Sequence, residues 1–206
     1  MINKKIAVIG AGGHAKVVAS IIHAMGKSIL AFYDDNPKKI GTSIFGIRVK
    51  DKKELVENSD QDAIIAIGNN QVRKKICNEL NLNWVSVIHP FSFVHPEVEI
   101  GAGTVVCAGS IIQPGAKIGS HVIINTKSSV DHDTIVGDYS HISVAHLAGG
   151  ASIDEGVFLA LHSVVLPFVH IGSWSIVGAG AVVTKNVDPG LTVIGVPARP
   201  NKTSTL

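Results

Sequence analysis

An aliphatic residue returns at every sixth position through most of the C-terminal half of this 206-residue chain. A short fixed period of this kind is typical of a solenoid of hexapeptide repeats, because neither a helical period nor a plain strand alternation keeps step with six for so long. The recurring positions are Val94, Ile100, Val106, Ile112, Ile118, Ile124, Val130, Val136 and Ile142, and then, after one residue is dropped, Leu147, Ile153, Leu159, Val165, Ile171, Val177 and Val183.

The period predicts the shape of one coil. Each hexad supplies a short strand and a turn, three hexads close a triangle, and the recurring aliphatic side chain points inward. Burying such a side chain contributes roughly 1.5–3 kcal/mol, whereas ordering each residue costs about 1.5 kcal/mol. One coil alone is therefore near or below zero in net stability, so we expect stacked coils and lateral association. A β-sandwich is the alternative fold.

One residue is missing from the period between Ile142 and Leu147. The segment that follows, 148–151, consists of small residues only. The missing residue shifts a corner of the coil, which either shapes a groove or is a harmless deletion.

Before the repeats, apolar segments alternate with amphipathic ones in a βαβ pattern. The pattern predicts strands at 5–9, 29–33, 44–49, 63–67 and 84–88 and helices at 16–25, 51–58 and 71–80. Strands that alternate with helices favour a parallel α/β sheet, here half of a Rossmann domain. We divide the chain into an α/β domain, 1–90, and a β-helix domain, 91–206, with a cap where the period ends.

Composition narrows the function classes. The net charge is +2 and only 17% of residues are charged, which argues against a dedicated nucleic-acid binder. No segment has the length of a transmembrane helix, and we expect a cytoplasmic protein. Cys77 and Cys107 lack metal-ligand spacing, so we expect two buried thiols and no metal.

The turn from Gly10 to Ala15 follows a predicted strand, precedes a helix and matches G-x-G-x-x-A. Its backbone amides and the helix N-terminus suit a phosphate or pyrophosphate. Asp34, 24 residues after Gly10, is near the place of a ribose-binding acid. This turn has three interpretations: it binds a nicotinamide dinucleotide, it binds a nucleotide sugar, or it serves only backbone geometry. The nucleotide sugar is preferred over the dinucleotide because no reductase machinery follows.

A second polar turn, Gly68-Asn69-Asn70, ends another predicted parallel strand. Ligands of open α/β sheets bind at such strand ends, so this turn, the glycine turn and Asp34-Asp35 are expected to line one crevice. The alternative for Asn69 is a helix cap.

In the repeats, His132 lies between Asp131 and Asp133. Because Ile124 and Val130 point inward, His132 falls near a turn or on an outer face. A carboxylate neighbour stabilises an imidazolium, which suits a general base; an ordinary solvated histidine is the alternative. Near the C-terminus, Lys185 and Arg199 either meet phosphates of a carrier or are solvated charges.

Taken together, the motifs resemble those of the bacterial nucleotide-sugar N-acetyltransferases of the bacillosamine type, within the sialic-acid O-acetyltransferase group of hexapeptide-repeat acyltransferases. The resemblance covers nearly the full length. It rests on Gly12-Gly13-His14, Asp34-Asp35, Ile67-Gly68-Asn69-Asn70 with Arg73, Asn125-Thr126, Val130-Asp131-His132-Asp133, Ser140-His141-Ile142-Ser143 and Gly195-Val196-Pro197-Ala198.

The resemblance implies a left-handed parallel β-helix and a homotrimer with acetyl-CoA between neighbouring solenoids. It implies that His132 is the proton acceptor and that Asp133 raises its basicity, with Asp131 as a rival partner. Asn125 is a further candidate site residue. It also implies substrate contacts at Gly12, Gly13, His14, Asp34, Asp35 and Gly68, and acetyl-CoA contacts at His141, Leu161 and Ala179.

The implied reaction is acetylation of the 4-amino group of a UDP-linked 4-amino-4,6-dideoxy sugar, with acetyl-CoA as co-substrate. Two alternatives stay open. One is O-acetylation of sialic acid or a related sugar by the same fold. The other is a nucleotide-binding scaffold in which the solenoid only trimerises.

Overall fold

A parallel sheet with one antiparallel edge strand forms the N-terminal part of the computed structural model, which describes residues 4–55 and 60–201. The strands lie in the order β3-β4-β2-β1-β5-β6, and β3 is the antiparallel strand. Two helices and one 3₁₀ turn, Lys52–Glu54, accompany them. The elements are β1 Ile6–Ile9, α1 Gly13–Ala24, β2 Ile29–Asp34, β3 Ser43–Ile44, β4 Ile47–Asp51, β5 Asp62–Ile65, α2 Asn70–Glu79 and β6 Asn83–Trp84.

The predicted βαβ pattern is confirmed, with local differences. The single strand expected at 44–49 is a hairpin, in which β3 pairs antiparallel with β4. The helix expected at 51–58 is a 3₁₀ turn that ends at Glu54, and residues 56–59 lie outside the described part of the chain. The single strand expected at 84–88 is two strands in different sheets. The first of them, β6, pairs with β5, whereas the second, Val87–Ile88, pairs with the repeat strand Val105–Val106.

The repeats form a left-handed β-helix with three parallel faces. The first face contains β7 Val87–Ile88, β10 Val105–Val106, β13 Ile123–Ile124, β16 His141–Ile142, β19 Phe158–Leu159, β22 Ile176–Val177 and β24 Thr192–Ile194. The second contains β8 Phe93–Val94, β11 Ile111–Ile112, β14 Ser129–Val130, β17 His146–Leu147, β20 Val164–Val165 and β23 Val182–Val183. The third contains β9 Glu99–Ile100, β12 Lys117–Ile118, β15 Ile135–Val136, β18 Ser152–Ile153 and β21 His170–Ile171.

The hexad positions form the solenoid core, as the period predicts. From Val106 to Val183 every predicted inward residue is buried, whereas Val94 and Ile100 in the first coil are only partly buried and pack against that core. The chain turns at the corners through residues in the left-handed region of backbone space. Several of these are not glycines: Lys127, Asp133, Tyr139, His162, Phe168 and Trp174.

The missing residue lies at one corner. The turn between β16 and β17 has three residues, 143–145, whereas the turn between β13 and β14 has four, 125–128. Consequently Ile124 pairs with Ile142, 18 residues further on, whereas Val130 pairs with Leu147, 17 residues further on. Every later inward position therefore comes one residue earlier than an unbroken period would place it. Val144 in the short turn has a φ of 51°, which is unusual for a β-branched residue.

The first face of the solenoid carries the N-terminal domain. Outward side chains of this face, Val105 and Ile123, are buried in one apolar cluster with Val18 and Ile22 of α1. The two parts of the chain therefore share a continuous core over the first coils. His141 is the next outward residue along this face, and Phe158 and Ile176 follow it.

A hairpin ends the described chain. β25, Arg199–Pro200, pairs antiparallel with β24 and lies at the end of the first face. The peptide bond between Val196 and Pro197 is cis. Within residues 4–55 and 60–201, no helix has the length and apolar character needed to cross a membrane.

Candidate active site

His132 and Asp133 form a hydrogen-bonded pair at the corner between the second and third faces. His132 Nδ1 lies 2.9 Å from Asp133 Oδ2. A carboxylate only accepts hydrogen bonds, so Nδ1 carries the proton and Nε2 keeps a free lone pair. Both side chains are well exposed, at 59% for His132 and 72% for Asp133. The arrangement is that of a base whose second nitrogen is available to a ligand.

Asp131 and Asp133 have different roles in this geometry. Asp131 Oδ1 accepts a hydrogen bond of 2.8 Å from the backbone N–H of His132, whereas Asp133 meets the ring. The hydrogen bond that His132 donates to Asp133 is the main cause that raises the pKa of His132 above its usual value, with smaller contributions from the charges of both aspartates. Asp131 thus holds the turn, and Asp133 tunes the imidazole.

His141 occupies the first face, where the N-terminal domain stops covering it. Asn125 Nδ2 lies 3.1 Å from His141 Nε2, and the carbonyl oxygen of Gly68 lies 3.4 Å from His141 Nδ1. With Nδ1–H donating to Gly68, Nε2 accepts from Asn125, so one tautomer satisfies both contacts. Burial, together with the positive charge of Arg73, lowers the pKa of His141 to about 3. The ring is neutral at neutral pH.

His14 lies close to His141 and has an unused nitrogen. The two ring centroids are 6.4 Å apart. Burial and the charge of Arg73 lower the pKa of His14 to about 4, so this ring is also neutral. Its Nε2 is buried and has no hydrogen-bond partner among the described residues. A buried polar atom without a partner costs about 1–3 kcal/mol, which a ligand at this position would recover.

The glycine turn is held by Asp34. Gly10 has a φ of 105°, and a Cβ there would lie 2.8 Å from Ile67 Cγ1, so only glycine fits. Gly12 is the N-cap of α1, Gly13 is its first residue, and a Cβ on either would meet nothing within 4 Å. Asp34 accepts hydrogen bonds from the backbone of Ala11 at 2.8 Å and from Lys39 at 2.9 Å.

These strand ends open into a small crevice. A cavity of about 220 Å³ is lined by the ends of the first strands and by α2, and Asp34 and the exposed Asp35 both border it. Asp34 is 92% buried and already bonded, so its remaining capacity toward a ligand is limited. Asn69 caps α2, since its side chain accepts from Val72 N at 3.0 Å, which confirms the alternative interpretation of that residue.

A second cavity, of about 450 Å³, lies along the first face beyond His141. Gly68, Phe158, Trp174 and Ile176 contribute to its lining. Leu161, 52% exposed, and the exposed Ala179 lie at the adjacent corner between the first and second faces. Gly180 N donates to Leu161 O at 2.8 Å, so the two predicted cofactor contacts belong to successive coils of one corner.

The predicted site residues fall into separate groups within one chain. His14, Gly68, Asn125 and His141 lie together at the first face. His132 lies at the corner between the second and third faces, which in a triangular coil is opposite the first face. The solenoid core separates the two groups, so His132 does not reach the His14–His141 pair of its own chain.

Sequence reasoning missed the interface between the two domains, here called the seam, where Arg73 of α2 meets the solenoid backbone at His121, Tyr139 and Ser140. Arg73 entered only as part of a motif, yet its side chain is fully buried and bonds across the seam. Its guanidinium donates to the carbonyl oxygens of His121 at 2.7 Å, Tyr139 at 2.6 Å, Ile67 at 3.0 Å, Gly68 at 3.2 Å and Ser140 at 3.3 Å, and to Asn70 Oδ1 at 3.0 Å.

The remaining candidates have simpler positions. Arg199 is exposed and donates to its neighbour Ala198, and Lys185 is exposed as well. Cys107 is buried as expected, whereas Cys77 is half-buried, with its sulfur 3.0 Å from His121 Nε2. Within the described ranges, no group of three His, Cys, Asp or Glu side chains could hold a metal ion.

Comparison with known proteins identifies relatives of both parts. Residues 5–80 match the family described as the PglD N-terminal domain. The UDP-N-acetylbacillosamine N-acetyltransferase of Bacillus subtilis is 39% identical over 112 residues, which cover 51% of this chain and 52% of that protein. An uncharacterized mimivirus protein, L142, is 32% identical over 121 residues, or 24% of its length. The chain thus spans about half or less of these curated relatives.

Solved structures match over nearly the whole chain. PerB from Caulobacter crescentus, in complex with CoA and GDP-perosamine, is 35% identical with a TM-score of 0.87, covering 96% of this chain and 97% of that one. The acetyltransferase domain of PglB from Neisseria gonorrhoeae is 37% identical with a TM-score of 0.89, covering 97% of this chain and all of that one. The same domain is also known in complex with acetyl coenzyme A.

Proposed function

We propose that this chain, which belongs to the bacterial nucleotide-sugar N-acetyltransferases of the hexapeptide-repeat type, is itself such an enzyme. It would transfer the acetyl group of acetyl-CoA to the amine of a nucleotide-linked amino sugar. The acceptor we favour is the 4-amino group of a UDP-linked 4-amino-4,6-dideoxy sugar. The observation that carries the proposal is the His132–Asp133 pair, with Nδ1 bound at 2.9 Å and Nε2 available.

In this mechanism His132 is the general base. Its Nε2 takes a proton from the sugar amine as the nitrogen attacks the thioester carbonyl carbon, and a tetrahedral intermediate forms. The carbon–sulfur bond then breaks, CoA leaves as a thiol after protonation by the imidazolium, and the acetamide remains on the sugar. Asp133 stabilises the imidazolium, which fits the raised pKa of His132. A general base contributes about 10²–10⁴ in rate.

The N-terminal domain would hold the nucleotide sugar. The diphosphate suits the backbone of the glycine turn at Gly12 and Gly13, since both positions are open and precede or begin α1. Asp35 is exposed at the crevice, and its carboxylate suits a hydrogen bond from a ribose hydroxyl or from an N–H group of the nucleotide base. The unpartnered Nε2 of His14 suits a polar group of the sugar. The carbonyl oxygen of Gly68, which contacts the neighbouring His141, belongs to the same region.

Acetyl-CoA would run along the solenoid beside His141, Leu161 and Ala179. The exposed side chain of Leu161 and the apolar lining at Phe158 and Ile176 suit the pantetheine arm. The cofactor supplies the activated acetyl group. A neutral His141, held by Asn125 and Gly68, offers a fixed polar wall rather than a charge.

A complete site would then need a second copy of the chain. His132 lies at the corner opposite the face that carries His14 and His141. In a homotrimer of parallel solenoids, the His132 corner of one subunit can face the first face of its neighbour. We therefore propose a homotrimer with its sites between subunits, which also supplies the lateral burial that a thin solenoid requires.

The test is thiol release from acetyl-CoA with UDP-, dTDP- and GDP-linked 4-amino sugars and with free sialic acid, with product masses recorded. We expect release and one added acetyl group with one nucleotide amino sugar. His132→Ala should lower kcat by about 10²–10⁴, whereas the matched control His23→Ala, an exposed histidine on α1, should keep it. Release only with sialic acid, or none with any acceptor, would refute the proposal.

A further inference from the structure

The His132–Asp133 pair lies between two glycines of neighbouring coils, Gly115 and Gly149. A Cβ on Gly149 would lie 2.5 Å from Nε2 and 2.6 Å from Cε1 of His132. A Cβ on Gly115 would collide with Asp133 Oδ1. The imidazole therefore packs directly on the backbone at Gly149, and the contact involves the nitrogen that the proposed reaction uses.

The turn itself does not demand glycine at position 149. Gly149, unlike Gly150, does not have a positive φ, so its backbone is open to any residue. Successive coils align at this corner, because Asp133 N donates to Pro114 O and Gly150 N donates to His132 O. The same corner position holds proline in the coil before His132, Pro114, and in the coil after Gly149, Pro167. Side chains are thus accepted there elsewhere.

We propose that Gly149 is a positioning residue for His132, which fixes the imidazole against Asp133 by leaving room for the ring. The inference rests on the proposed function, in which His132 is the base. The Cβ of an alanine at 149 would overlap the Nε2 and Cε1 atoms of the ring. The exposed imidazole can rotate away, whereas the turn is held by its backbone ladder. The ring, and not the fold, is expected to yield.

The experiment compares the parent with Gly149→Ala and with a matched control, Pro167→Ala, which alters the equivalent corner position one coil further on. In Gly149→Ala we expect kcat to fall about 10- to 100-fold, as for a reacting group displaced by about 1 Å. KM for both substrates should stay within about twofold, and the urea midpoint should not change. The control should match the parent in all three.

A second readout does not depend on activity. Imidazole resonances of His132 are titrated by NMR in each protein. In Gly149→Ala the pKa of His132 should fall toward its usual value, because the rotated ring no longer donates to Asp133 the hydrogen bond that raises this pKa. An unchanged titration with unchanged kcat would overturn the proposal. So would a loss of kcat that comes with a lower urea midpoint and an unchanged titration, since that is a purely structural effect.

The two proposals fail separately. If the parent releases no CoA with any acceptor, the proposed function falls, while the NMR titration still decides whether Gly149 fixes the ring. If the parent is active and Gly149→Ala equals it in kcat and in titration, only the positioning role falls.

Discussion

Replacing Arg73 by methionine should uncouple the two domains. Arg73 is fully buried, and its pKa, lowered by burial to about 10, leaves it charged at neutral pH. Three of its acceptors, the carbonyl oxygens of Ile67, His121 and Tyr139, have no other hydrogen-bond donor among the described residues. Methionine has a similar length and no donor, so these three would be left unpaired.

The magnitude follows from that count. Each buried carbonyl without a partner costs about 1–3 kcal/mol, so three cost about 3–9 kcal/mol. Part of this is recovered because a buried guanidinium no longer has to be desolvated, at several kcal/mol per ion. The carbonyls left without a donor decide the net effect, and we expect the free energy of unfolding of Arg73→Met to fall by about 3–5 kcal/mol, the lower part of the range set by those lost hydrogen bonds.

The assay is urea unfolding at fixed protein concentration, followed by circular dichroism and by tryptophan fluorescence. Trp84 reports on the seam, because its ring lies edge-on to His121 at 5.2 Å. Arg48→Met, at an exposed arginine, is the matched control and should stay within about 0.5 kcal/mol of the parent. If Arg73→Met unfolds within about 1 kcal/mol of the parent, the seam does not depend on this side chain and the reasoning is wrong.

Two further predictions concern the histidines. Asp133→Asn should lower the pKa of His132, so the acid limb of the kcat/KM profile should move to lower pH; an unmoved limb would contradict the role of Asp133. His14 and His141 have folded pKa values of about 4 and about 3, below their unfolded value of 6.5. The unfolded chain therefore binds more protons, and stability should be lost as pH falls below about 6.5 toward 4. Urea midpoints measured across that window test this, and His14→Gln should reduce the slope; a slope equal to that of the parent would be inconsistent with a buried neutral His14.

The solenoid could be predicted because each of its coils repeats one local rule. An inward aliphatic every six residues places Ile124 below Ile142 whatever the rest of the chain does. Even the missing residue was visible as a break in the period, and the structure places it in the turn 143–145. What the period could not show was that His141, just before the break, lies beside His14 and Gly68 of the N-terminal domain.

The seam could not be predicted, because its acceptors are backbone carbonyls. The residue types at positions 121 and 139 do not indicate that their carbonyl oxygens accept hydrogen bonds from Arg73, which lies 48 and 66 residues earlier in the chain. The same holds for Gly149, whose partner is a side chain in the previous coil. By contrast, His132 and Asp133 are adjacent in the chain, so their pairing was open to sequence reasoning. Their catalytic role stays a prediction.

The closing hairpin has a consequence for how the molecule behaves in a crowded solution. A parallel stack ends in a row of free N–H and C=O groups, onto which another chain could add as a further coil. In the first face that row is occupied by β25, which runs antiparallel and is therefore out of phase with any incoming parallel strand. On this face the reversed strand therefore disfavours the addition of a further parallel coil from another chain.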